Sequence, residues 1–103
     1  MKLIAEMTDM INEEIHCAWM YAEKALELKR SNPDVAKALN AVSISKLDDI
    51  NTLHNAVVAI IEAYRKEHGE PPAPMMAVYD YFHKKQINKL QEVKMKQGAF
   101  KEV

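Results

Sequence analysis

All four prolines and one of the two glycines fall in two short places, Pro33 and the segment Gly69-Glu70-Pro71-Pro72-Ala73-Pro74. Proline cannot continue a helix or a central strand, and glycine is the usual residue at a helix end. The chain is thus cut into three long uninterrupted runs. A β fold needs a turn every few residues, and the material for those turns is absent. The punctuation predicts an all-α protein with helices over about 3–30, 33–67 and 74–97. Asn32 stands at an N-cap position, Pro33 suits the first helical position and Asp34 complements the dipole. Gly69 is placed to close the second helix, and Gly98 to stop the third.

The apolar spacing agrees with that division. The first run repeats through Ile4, Met7, Ile11, Glu14, Ala18, Tyr21, Ala25 and Leu28 in steps of three and four, the seam of a helix packed at a shallow angle. The second run carries two stripes. One holds Val35, Leu39, Val42, Leu53, Ala56, Ile60 and Ala63, and the other Leu47, Ile50, His54, Val57, Ile61 and Tyr64. Two stripes predict that this helix is central and covered on two sides. The third run reads Met76, Tyr79, His83, Gln86, Leu90, Val93 and Gln97. The expected architecture is two long antiparallel helices plus a shorter third, in one helical domain over residues 1–103. Three helices do not close a four-helix bundle, so a homodimer or higher homo-oligomer is expected to complete it.

At 49% hydrophobic and 28% charged residues, the chain is too apolar to be disordered. The net charge of −1 gives no general attraction to nucleic acid or membrane. The distribution is uneven: residues 1–82 net −5, whereas residues 83–103 carry six lysines against two glutamates. A lone cysteine, Cys17, excludes an internal disulfide and suits a reducing compartment. Glu6 arrives too early for a signal peptide, and no apolar run reaches membrane-spanning length. The expectation is a cytoplasmic protein.

Charges interrupt the seams. Glu14 lies midway along the first helix between Ile11 and Ala18. Lys46 and Asp49 lie midway along the second, between Val42 and Leu53. In an antiparallel hairpin these midpoints face each other. A buried charge costs several kcal/mol unless it is paired or metal-bound, so the three residues need partners.

The segment from Glu13 to Ala25, with Glu14 and Tyr21 seven positions apart, resembles the first ligand helix of rubrerythrin-like members of the ferritin-like superfamily. More loosely, most of the chain is similar to short ferritin-like proteins of phages and prophages, through His54 and the segment from Tyr79 to Lys94. The resemblance implies a ferritin-like bundle in which Glu14 would bind a dinuclear iron or manganese centre, with Tyr21 packed beside it. The family's second ligand helix carries E-x-x-H. Here the in-phase residues are Lys46-Leu47-Asp48-Asp49. Lysine stays protonated near neutral pH and repels a cation. The expected arrangement is therefore a buried polar cluster of Glu14, Lys46, Asp49 and Tyr21, with the ammonium standing where the metal would be. The metal-binding alternative draws its ligands from Glu14, Asp49, Asp80 and His83, a mixed oxygen and nitrogen set suited to iron or manganese.

Other candidates have ordinary readings. Glu13-x-x-His16 has ligand spacing but lies out of phase with the seam, so both residues are expected in solvent. His83 is expected to be half-buried and hydrogen-bonded to a neighbouring helix, and His54 to be a core or interface residue. Cys17 has no basic sequence neighbour to activate it. Lys84, Lys85, Lys89, Lys94, Lys96 and Lys101 form a basic end that could meet nucleic acid or an acidic partner, or dock on the acidic first helix of another subunit with its Glu13, Glu23 and Glu27. The favoured expectation is a non-enzymatic structural or interaction protein, with no catalytic residues and no cofactor. A metal-dependent oxidase, peroxidase or storage protein and a nucleic-acid-associated protein are the alternatives.

Overall fold

The computed structural model describes residues 2–102 and places α1 at Lys2–Leu28, α2 at Pro33–His68 and α3 at Ala73–Lys101. The described residues contain no strand. The breaks fall where proline and glycine put them. The Ala36 amide bonds the Asn32 carbonyl at 3.0 Å, so α2 starts at Pro33. The Asn32 side chain makes no capping bond; the proline, which has no N–H, and Asp34 at the dipole form that end. At the other end Gly69 has φ +79°, and its amide bonds the Arg65 carbonyl at 2.9 Å. That conformation is left to glycine because a Cβ would crowd the preceding carbonyl.

α3 departs from expectation. It runs through Gly98 to Lys101, and with 29 residues it is longer than α1, which has 27. A single glycine weakens a helix by about 1 kcal/mol relative to alanine but does not end it unless the backbone turns left-handed. Gly98 has no positive φ.

The topology is up-down-up. α1 and α2 run antiparallel, with Ser43 against Ala18 and Lys46 against Glu14. α1 and α3 run parallel in a constant register, set by Gln86 on Asn12, Glu92 on Trp19 and Lys96 on Glu23. The body measures 55 × 19 × 18 Å. Its length is that of α2 alone, at ~1.5 Å per residue.

α1, and not α2, is the central helix: its backbone runs close to both others, while the backbones of α2 and α3 stand further apart and the two helices meet through side chains. The reason lies in three alanines. Ala18, Ala22 and Ala25 have no exposed surface, and such small side chains let neighbouring helices approach α1 closely. Around them Ile11, Ile15, Ile50, Val57, Ile61 and Val93 make the core. On α2 only one stripe, through Ile50, Val57 and Ile61, is buried. The other stripe, from Val35 to Ala63, has no buried member. α3 buries a single apolar side chain, Val93, beside two glutamines.

Candidate functional site

The midpoints of α1 and α2 meet as their antiparallel register requires. Lys46 Nζ lies 3.0 Å from Glu14 Oε2, and the two side chains keep only 26% and 29% of their surface. Glu14 Oε2 itself is closed off from solvent, and the contact is an ion pair without the alignment of a good hydrogen bond. The short contact with Glu14, and then its charge, hold the Lys46 ammonium above its ordinary 10.5, against the opposing effect of burial. Asp49 is exposed and reaches Lys46 only through its field. Tyr21 is half-buried two turns further along the same face of α1. The four residues thus resolve into one ion pair, a half-buried phenol and an outward carboxylate.

This donor set does not suit a dinuclear metal centre. The group facing Glu14 is a cation held in its charged form, which opposes a divalent ion by charge and offers it no lone pair. Asp80 is exposed, and with the larger effect of burial its charge raises the Tyr79 hydroxyl. His83 lies on the α2 side of α3, stacked on His54 with centroids 4.7 Å apart and on Tyr79 at 5.6 Å. Among the described residues, no three of the histidine, cysteine, aspartate and glutamate side chains gather closely enough to hold an ion. Glu13 and His16 both face solvent. His83 is half-buried as expected, but its neighbours are rings. Burial first, and the charge of His83 second, push His54 below its ordinary 6.5.

Three features escape the sequence pattern. The first is a buried hydrogen-bond chain: Gln97 Nε2 donates to Ser43 Oγ at 2.8 Å, and Ser43 donates to the Ala18 carbonyl at 2.7 Å. It ties all three helices at one level. Gln97 on an apolar stripe was its only sequence trace. The second is a cationic cap on Trp19. Lys89 and Lys96 hold their ammonium groups 4.6 and 5.0 Å from the ring centre, and the indole N–H donates to Glu92 at 2.7 Å. That bond, more than the nearby lysine charges, holds Glu92 below the usual carboxylate range. Lys96 also pairs with Glu23, so the basic end docks on the acidic helix of its own chain. The third is an apolar cavity of roughly 390 Å³ at the end of the bundle, among Ile4, Thr8, Ile61, Tyr64, Met76 and Tyr79.

No helix among the described residues is long and apolar enough to cross a membrane. In comparisons with known proteins, no family model, no curated protein and no solved structure gives a significant match to this chain.

Proposed function

We propose that this chain is a non-enzymatic structural and interaction protein of the ferritin-like kind seen in phages, in which an ion pair occupies the position of a metal centre and which works by helix association. The observation that carries this reading is the Lys46 ammonium 3.0 Å from Glu14, at the mid-level of the α1–α2 hairpin. A lysine in that position supplies the positive charge that a metal would supply. It balances the carboxylate, keeps the two helices in register and brings no redox chemistry. Apolar positions at helical spacing left outside the core support an associating role, with a homo-oligomer as the assembly.

Metal content is the test. The chain is incubated anaerobically with ferrous iron, manganese or zinc, then desalted and assayed for metal. The reading expects no stoichiometric ion with any of the three, and the same result for Glu14→Ala. A tightly held ion per chain that Glu14→Ala abolishes would overturn it, because metal affinity follows its ligands.

A further inference from the structure

The half-exposed stripe of α2 is a helical seam that its own chain covers only in part: Lys46 pairs with Glu14 and Leu53 rests against the core, but no member is buried. It runs Val35, Leu39, Val42, Lys46, Asp49, Leu53, Ala56, Ile60, Ala63 in alternating steps of four and three. None of these residues is buried, and Val35 and Val42 keep 44% and 40% of their surface. The stripe lies on the side of the hairpin away from α3. α3 meets the His54 side of α2, and it meets α1 through Asn12, Trp19 and Glu23. On the same open side, helical spacing places Leu3, Met10, Tyr21 and Leu28 of α1 beside it, and none of those is buried either.

We propose that a second copy of this chain covers this face, with α2 packed antiparallel on α2 so that Lys46 of each copy meets Asp49 of the other. The inference rests on the reading of the chain as an associating protein. Its ground is that the stripe is complementary to itself in one register. With Lys46 opposite Asp49, Val42 faces Leu53, Leu39 faces Ala56 and Val35 faces Ile60. Two opposite-charge layers then sit at the centre, flanked on each side by three apolar layers. A slide of one heptad either way sets Lys46 against Val42 or Ala56, leaving each charge against an apolar group. Buried polar positions of this kind specify register and oligomer state in helical assemblies. The same contact gives Asp49, an outward carboxylate in the single chain, the ammonium it lacks. Each Lys46 then lies between Glu14 of its own chain and Asp49 of its neighbour. The seam spans ~42 Å of helix, long enough for a stable two-helix contact.

The test measures the molar mass of the full chain by light scattering across a dilution series, with two variants. Wild type is expected to be a dimer. Asp49→Lys sets lysine against lysine in both central layers. It is expected to weaken the dimer by about tenfold per layer, roughly a hundredfold in all, with helicity unchanged because Asp49 is exposed in the monomer. In a Cys17→Ser background, Val42→Cys with Leu53→Cys is expected to oxidise to a covalent dimer. Within one helix the two positions lie ~16 Å apart and cannot bond to each other. A monomeric wild type, an Asp49→Lys dimer of undiminished affinity, or no cross-link between the cysteines would each overturn the proposal. Any of these together with absent metal would leave the associating role to another partner. A stoichiometric metal ion would instead remove the reading beneath it.

Discussion

Replacing Ser43 by alanine tests the most buried polar contact in the molecule. Ser43 has no exposed surface, and its hydroxyl both donates to the Ala18 carbonyl and accepts from Gln97 Nε2. The Ala18 carbonyl belongs to the α1 helix, so losing the serine costs it only a second bond, about 1 kcal/mol. Gln97 is worse placed. It is 6% exposed, and its amide would be left without an acceptor, at a further 1–3 kcal/mol or so. The expected loss is about 2–4 kcal/mol. At a urea slope of ~2 kcal/mol/M that lowers the midpoint by roughly 1–2 M. The partner substitution gives the discriminating control. Gln97→Met removes the stranded donor, so Ser43→Ala with Gln97→Met should cost less than Ser43→Ala alone. The assay is urea unfolding followed by far-UV circular dichroism at one fixed protein concentration, because association shifts apparent stability. A Ser43→Ala loss below ~0.5 kcal/mol, or a double variant whose loss equals the sum of the singles, would refute the argument.

Gly98→Ala should raise stability by about 0.5–1 kcal/mol, since the residue is inside a helix and no atom lies within 4 Å of the added Cβ; a lower thermal midpoint would count against it. Gly69→Ala should do the reverse, by ~1–2 kcal/mol, because φ there is +79°. Acid should weaken the fold through His54. Its pKa is lower in the folded chain than in the unfolded one, so its contribution is fully present above the ordinary 6.5 and is lost as pH falls through the folded value. His54→Leu should flatten that part of the profile of urea midpoint against pH, and an unchanged slope would exclude His54 as its source. Lys46→Met with Glu14→Leu should keep or raise the urea midpoint, whereas Lys46→Met alone should lower it by leaving the closed-off Glu14 oxygen without its cation.

Much of the fold was legible because proline and glycine punctuate it so plainly. Pro33, Gly69 and the following prolines mark both loops, and the stripe from Met76 to Gln97 is the one α3 turns inward. Two errors have physical sources. Gly98 looked like a stop because residue type alone does not reveal φ, and only a left-handed φ ends a helix there. α2 looked central because it has two apolar stripes, but apolar spacing cannot say whether a stripe meets its own chain or another. The alanines of α1, weak in any hydropathy pattern, decide which helix the others approach. At the site, the facing of Glu14 and Lys46 followed from antiparallel register. The outward position of Asp49 did not, since it depends on side-chain direction around one turn of α2. The Ser43 chain was hidden because a serine inside a helix has no spacing signature.

The distribution of contacts also says which helix opens first. α1 buries five apolar residues along its length, and α2 buries Ile50, Val57 and Ile61 against it. Val93 is the one apolar side chain that α3 buries; Tyr79 and Leu90 pack half-buried on the core, His83 stacks on His54, and the rest of its hold is Gln86 on Asn12 and Thr8, Gln97 on Ser43, and the rim of lysines and Glu92 around Trp19. A net hydrogen bond contributes about 1 kcal/mol and a rim charge contact less, so α3 has the weaker hold. Local opening follows the least buried apolar surface. Native-state hydrogen exchange should therefore show the amides around Leu90–Val93 opening at lower free energy than those around Val57. Equal protection of the two segments would mean that the polar contacts hold α3 as firmly as the isoleucine and valine core holds α2. Dilution separates the two levels. If association uses the open side of α1 and α2, diluting the chain should lower protection in α2 and leave the opening of α3 unchanged.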